Sequence, residues 1–123
     1  MQNNVVEQVR IQTEYYSVAM SDELKVLIEQ FRCTDPILST MDDRKLILYI
    51  VNKALDEETQ IFTDSLKLSR TKNVKLKKTR KISGHFNSVN EKYKNFGVNI
   101  SPRQYFHRLI LAYILNVLGG GKH

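Results

Sequence analysis

The 123-residue chain is 41% hydrophobic and carries a formal net charge of +6 at pH 7. Because this length is too short for two ordinary independent cores, the composition predicts a single compact domain. The lone cysteine, Cys33, excludes an intramolecular disulfide and a zinc site built on several thiolates. With no apolar run of membrane-spanning length and no signal pattern at its start, the chain is expected to be soluble and cytoplasmic, with no membrane partner.

Two stretches, residues 15–55 and 80–118, repeat one pattern. Each has a short alternating segment, a small polar residue, an amphipathic helix, a break and a second, more apolar helix. A unit of about 40 residues with two short helices barely buries a core of its own. Two copies in one chain therefore predict that each copy completes the core of the other.

The first copy begins with β-branched and aromatic residues that roughly alternate at positions 15–20, which predicts a short strand. Ser21 is predicted to cap a helix, because acidic residues follow in the first turn and apolar residues recur at helical spacing. Thr40 and Asp43 resemble a capping box, which predicts the start of a second helix. The first copy is thus predicted to be strand, helix, helix.

In the second copy, residues 81–86 alternate polar with apolar or small side chains, which predicts the second strand. Asn87 or Ser88 is predicted to open the helix that follows. Ser101 and Pro102 form a strong helix start, a cap followed by proline at the first helical position. The final helix is apolar around much of its circumference and is therefore predicted to be buried.

The order strand, helix, turn, helix resembles the ribbon-helix-helix superfamily of DNA-binding proteins in both halves of the chain. The resemblance implies a mainly α protein with a short antiparallel β-ribbon, in which two ribbon-helix-helix units form an intramolecular pseudo-dimer. It further implies that the ribbon enters the DNA major groove and that the second helices pack together beneath it. Tandem single-chain versions among plasmid and viral regulators have a similar arrangement.

Charge is distributed unevenly between the two copies. From residue 65 to the end, 13 basic residues accompany one acid, for +12, whereas residues 13–56 carry five basic and eight acidic residues, for −3. A basic run beside a DNA-reading strand indicates a polyanionic partner, since lysine and arginine displace condensed counterions from phosphates. A solvated basic loop is the alternative. The predicted segments are an N-terminal arm (1–12), a first unit (13–56), a linker (57–74), a second, basic unit (75–118) and a tail (119–123).

The family geometry directs strand residues alternately toward the core and toward the groove. In the second copy, Ile82 and Phe86 are expected to point inward. Lys81, Ser83 and His85 are expected to point outward. There, lysine would reach guanine acceptors, and serine would hydrogen-bond with a donor or an acceptor on a base edge. These three residues are therefore the predicted base-reading set of the second strand.

In the first copy, the same alternation directs Tyr16 and Val18 inward and Tyr15, Ser17 and Ala19 toward the DNA. This outward set is less polar than that of a typical reading strand. Ordinary strand packing is the alternative interpretation of Tyr15 and Tyr16. Base contacts by the first copy are therefore the less secure part of the resemblance.

Members of the superfamily hold a phosphate at the N-terminus of the second helix, where free N–H groups and the helix dipole attract an anion. The resemblance gives this role to Ser101 and Arg103, whereas the carboxylates of Asp42 and Asp43 would repel phosphate in the first copy. Contact with DNA is therefore expected to be skewed toward the C-terminal half, with an asymmetric operator. The remaining predicted DNA-binding residues are Lys77, Lys78 and Arg80.

The sequence thus predicts a sequence-specific regulator of transcription that binds double-stranded DNA, from a plasmid or a virus by analogy, acting in the host cytoplasm if viral. No cofactor is expected, and further copies of the chain along the DNA are a second class of partner. Relaxosome or antitoxin-like accessory proteins are the alternative function. A tandem winged helix-turn-helix protein, with residues 80–86 as a wing strand, is the alternative fold.

An enzyme is not predicted. His85, His107 and His123 have no metal-ligand spacing with one another or with Cys33, and no glycine-rich phosphate loop precedes a helix. His107 lies within the apolar final helix, where a satisfied core or interface histidine is the expected role.

Overall fold

In the computed structural model, which describes residues 14–61 and 72–119, the chain forms two strands and four α-helices in the order β-α-α-β-α-α. The protein is thus mainly helical with one two-stranded antiparallel sheet, as predicted. The predicted arm, most of the predicted linker and most of the predicted tail lie outside the described residues. The elements are β1 (Tyr15–Met20), α1 (Asp22–Arg32), a short 3-10 helix (Leu38–Thr40), α2 (Asp43–Asp56), β2 (Lys72–Lys77), α3 (Arg80–Lys94) and α4 (Pro102–Leu118).

Two helix starts agree with the sequence prediction. Ser21 caps α1, where its Oγ accepts a hydrogen bond from the Leu24 backbone N–H at 3.1 Å. Ser101 caps α4 in the same way, accepting from the Gln104 backbone N–H at 3.4 Å. Pro102 follows as the first residue of α4, where a missing N–H leaves no helical hydrogen bond unmade.

The second strand is not where the sequence predicted it. It lies at Lys72–Lys77, and residues 81–86 instead belong to α3. Ile82 and Phe86 are buried as predicted, but their spacing of four places them on one face of a helix. Over six residues, a period of two and a period of 3.6 give overlapping patterns, which is why the prediction was wrong. The helix at this position also removes the wing strand proposed for residues 80–86.

Two further helix starts differ from the prediction. α2 is capped by Asp42, whose Oδ1 accepts a hydrogen bond at 2.9 Å from the backbone N–H three residues on. The predicted cap, Thr40, instead ends the 3-10 helix. α3 is capped by Thr79 and not by Asn87 or Ser88. In each case, a side-chain oxygen satisfies one of the backbone donors that the first helical turn leaves unpaired.

The register of the sheet decides which side chains face the core. β1 and β2 pair antiparallel, with Ser17 opposite Lys75 and Val18 opposite Val74. Side chains of successive pairs point to opposite faces of the sheet. The inner face includes the buried residues Tyr16, Val18 and Leu76, and the outer face includes the exposed residues Tyr15, Ser17, Lys75 and Lys77.

The core joins the two halves of the chain. α4 packs against β1, α1 and α2, while α2 also packs against β2, so each second helix contacts the strand of the other half. At the centre, the ring of Phe106 lies 5.1 Å from that of Tyr16 and 5.7 Å from that of Phe86, measured between centroids. These three rings come from α4, β1 and α3. Neither half therefore encloses its own apolar surface.

Candidate nucleic-acid interface

The outer face of the β1–β2 sheet, called the ribbon face below, is formed by three cross-strand pairs. These are Tyr15 with Lys77, Ser17 with Lys75, and Ala19 with Asn73. Tyr15 and Ser17 lie on this face, as predicted from alternation, and both are exposed. Ala19 lies on it too, but its side chain is fully buried, so the prediction that it faces the DNA was wrong.

The base-reading set predicted for the second copy is elsewhere. Lys81, Ser83 and His85 all lie on α3, so none of them belongs to the ribbon face. Lys81 forms an ion pair with Asp56 of α2. His85 Nε2 lies 2.6 Å from the hydroxyl of Tyr105, and partial burial lowers the pKa of this histidine. The outward strand positions assigned to these residues were therefore wrong.

The basic residues of the ribbon face come from β2. This strand overlaps the end of the predicted linker and the start of the predicted second unit. Asn73, Lys75 and Lys77 are its outward residues. The signal that identifies them is an alternation of polar and apolar residues that ends two positions before the helix cap Thr79. β1 likewise alternates and ends at Met20, one position before the helix cap Ser21. Lys75 and Lys77 both belong to the basic run that predicted a polyanionic partner, and Lys77 was among the predicted DNA-binding residues, but Asn73 was missed.

Tyr15 lies between two cations on the ribbon face. The Arg44 guanidinium carbon and the Lys75 ammonium nitrogen each lie 5.5 Å from the centre of its ring. Both distances are within the range of cation–π attraction. Arg44 is the second residue of α2, so the N-terminus of that helix carries a positive charge to one end of the ribbon face.

Arg103 makes the corresponding contact at the other end of the ribbon face. It is the second residue of α4, and its Nε donates a hydrogen bond of 2.8 Å to Oδ1 of Asn73. The bond joins α4, which packs against β1, to Asn73 on β2, the residue opposite Ala19. Ser101 and Arg103 were predicted to hold a phosphate. In the structure, Ser101 caps α4 and Arg103 contacts the ribbon face.

The acidic residues at the start of α2 are engaged in structural contacts. Asp42 caps the helix, and Asp43 Oδ1 lies 2.6 Å from Nη2 of Arg32. The same arginine donates to the backbone carbonyl of Met41. The carboxylate of Asp43 was predicted to repel phosphate, but the Arg32 guanidinium beside it offsets its negative charge. Arg44 follows directly and is exposed.

Two more predicted residues lie beside the end of the ribbon. Lys78 Nζ is 3.6 Å from Oε1 of Glu14 and 4.8 Å from the centre of the Tyr16 ring. Arg80 is the first residue of α3 and is exposed. With Lys77, they place positive charge at the junction of β2 and α3, where backbone N–H groups also point outward.

Among the described residues, no group of three histidine, cysteine or acidic side chains is placed to hold a metal ion. None of the helices in residues 14–61 and 72–119 is long and apolar enough to cross a membrane. Comparisons of the chain with protein-family models, with curated proteins and with solved structures found no match.

Proposed function

We propose that this protein is a tandem ribbon-helix-helix protein that binds double-stranded DNA sequence-specifically and regulates transcription. The observation that carries the proposal is the ribbon face, in which Lys75 and Lys77 are exposed on a two-stranded sheet whose opposite face lies on the core. The major groove of B-DNA, about 12 Å wide, admits a two-stranded ribbon. The same groove displays acceptor atoms that lysine and asparagine reach.

Internal equivalence of the two halves supports the pseudo-dimer. Ser21 and Thr79 are both caps, and each accepts a hydrogen bond from the backbone N–H of a fully buried residue three positions on. Four positions before these caps lie Ser17 and Lys75, which are also cross-strand partners. A residue paired with its own equivalent marks a local two-fold axis, as expected for a symmetric dimer fused into one chain.

The charges around the ribbon face fit a phosphate backbone on either side of a groove. Lys75 lies near the local axis, and Arg44 and Arg103 approach from the helix N-termini at opposite ends. Contacts of this kind fix the register of a protein on DNA without reading its sequence. Lysine at the axis is suited to guanine O6 and N7. The arrangement therefore combines a lysine suited to base reading near the axis with one arginine suited to phosphate contact at each end.

The proposal is tested by selecting binding sites from a random double-stranded DNA pool at about 150 mM salt, the physiological ionic strength. We expect the full-length protein to enrich a short motif. Replacing both Lys75 and Lys77 with alanine should abolish the enrichment. Lys92→Ala is the matched control, because Lys92 is an exposed lysine near the far end of α3, about 18 Å along the helix from its start.

The outcomes of this selection separate the alternatives. A motif that survives the double lysine substitution unchanged would contradict reading by Lys75 and Lys77. Salt-sensitive binding without enrichment would indicate a protein that binds only the DNA backbone. No binding at all would contradict the proposed DNA partner.

A role as an accessory protein is the second candidate, and one surface feature supports it. Phe96 is 78% exposed and Val98 is 45% exposed, just after the end of α3, with Tyr93 in the last turn of the same helix also exposed. Clustered apolar side chains in solvent are typical of surfaces that contact another protein. If DNA binding fails, substituting Phe96 with serine and measuring self-association by sedimentation tests whether this surface binds a further copy of the chain.

A further inference from the structure

We infer that Asn73 is a specificity-determining residue that selects guanine over adenine at one end of the binding site, held in position by Arg103. The inference rests on the proposed function and extends it from a surface to a base. It concerns a residue that neither the basic run nor the predicted reading strand includes.

The bond fixes which way the Asn73 amide points. Nε of Arg103 donates to Oδ1 of Asn73 at 2.8 Å. Arginine has donors only, so the amide atom beside it has to be the carbonyl oxygen, and the two hydrogens of Nδ2 are directed elsewhere. Asn73 is exposed on the ribbon face, and the residue opposite it is the short, buried Ala19. At this end of the ribbon, the Asn73 amide is therefore an exposed polar group with the Arg103 guanidinium beside it.

The orientation decides which base edge fits. Asparagine reads adenine with both amide atoms, donating to N7 and accepting from the N6 amino group. Here the accepting atom is already engaged by a guanidinium, whose positive charge also disfavours a second donor nearby. Guanine presents two adjacent acceptors, N7 and O6, in the major groove. The Nδ2 group of Asn73 donates hydrogen bonds and lies beside the positively charged Arg103, so it matches the two guanine acceptors.

The amide contact is expected on one side of the site alone. Counting back six positions from the caps Ser21 and Thr79 makes Tyr15 the equivalent of Asn73. Tyr15 has a ring beside Arg44 and Lys75 where Asn73 has an amide, and its cross-strand partner is the exposed Lys77 and not a buried alanine. The two ends of the ribbon face therefore offer different chemistry to equivalent base pairs. Base selection by an oriented amide at one end, and by other side chains at the other, gives the binding site a direction.

The test is site selection from a random double-stranded DNA pool with the parent chain, Asn73→Ala and Arg103→Ala, with Lys92→Ala as control. The parent should enrich a motif with a guanine on one side. Asn73→Ala should lose about tenfold in preference at that position and keep the rest of the motif. Arg103→Ala should shift the preference at that position toward adenine, because Oδ1 is then able to accept from N6.

Each result is informative about a different claim. If the parent and Asn73→Ala select the same bases at every position, the inference is wrong and the proposed function stands. If Arg103→Ala retains the guanine preference, the arginine does not orient the amide, which also overturns the inference. If the parent enriches no motif, the proposed function fails and this inference fails with it. Circular dichroism of the variants verifies that each one is folded.

Discussion

Ser21 and His107 share a buried hydrogen bond of 2.9 Å between Oγ and Nε2, although 86 positions separate them in the chain. Ser21 caps α1 and His107 lies in α4, so the bond ties the first helix of one half to the second helix of the other. His107 is 1% exposed, and its Nδ1 has no hydrogen-bond partner among the described residues. A buried imidazole in this position makes folding sensitive to protonation.

Lowering the pH from 7.5 to 5.5 is expected to lower the free energy of unfolding. Burial, together with the charges of Arg108 and Arg103, lowers the pKa of His107 below its ordinary value of 6.5. The unfolded chain then binds a proton over a pH range in which the folded chain does not. The stabilisation is therefore complete above about pH 6.5 and decreases below it, by at most about 1.4 kcal/mol per pH unit for one group.

Urea unfolding at several pH values measures this dependence. Burial also lowers the pKa of His85, which adds a change of the same sign. His107→Leu should therefore reduce the pH dependence without removing it, and adding His85→Gln should reduce it further. A His107→Leu variant with the parent's pH dependence would show that the buried imidazole is not the titrating group.

Ser21→Ala is expected to be much more destabilising than Ser101→Ala. Both serines cap helices, and loss of a cap costs about 1 kcal/mol. Ser21 is also the partner of a buried ring nitrogen, and leaving that atom unpaired adds roughly 1–3 kcal/mol. Unfolding midpoints in urea give both values. Equal losses for the two substitutions would mean that the bond to His107 contributes nothing to stability.

Phe106→Ala is expected to destabilise the fold by about 3–5 kcal/mol. Its fully buried ring contacts the rings of Tyr16 and Phe86, so its removal leaves a cavity where three elements meet. That loss is comparable with the lower end of the total stability of a small domain, about 5 kcal/mol. Phe96→Ala is the matched control, because its ring is exposed, and should change stability by less than about 0.5 kcal/mol. Thermal unfolding compares the two, and similar shifts would contradict the assigned core.

Lys75→Gln is expected to reduce the salt dependence of DNA binding. If Lys75 neutralises one phosphate or lies within the groove's negative potential, the slope of log K against log salt should become less steep by about 0.9. Lys92→Gln removes the same charge at a distant exposed site and should leave the slope unchanged. Fluorescence anisotropy between 50 and 200 mM salt, the range over which such affinities fall steeply, measures both slopes. Identical slopes for the two variants would exclude a contact by Lys75.

The helix starts at Ser21 and Ser101 were predictable, because a cap acts on backbone groups only three residues away and leaves a local signature. The alternation of β1 was also readable, since apolar residues on every second position fit a half-buried strand. The buried state of Ile82 and Phe86 was predicted as well, although in the wrong element. Each of these features depends on residues that are close together in the chain.

The position of β2 was harder to predict, because two alternating segments, residues 72–77 and 81–86, compete for the same role. The choice between them depends on pairing with β1, a contact between distant parts of the chain. The bond of Arg103 to Asn73 is likewise set by how α4 crosses β1. No local pattern specifies either contact, so the sequence alone could not show which side chains form the ribbon face.

The covalent connection between β1 and β2 has a consequence for dilution. When a ribbon is assembled from two separate chains, half of it is lost once the protein concentration falls below the dimer dissociation constant. Here both strands belong to one polypeptide, and their pairing is a folding equilibrium that does not depend on concentration. A few molecules per cell would therefore carry a complete ribbon. If the ribbon binds DNA as proposed, binding by single molecules would rise in simple proportion to protein at low concentration.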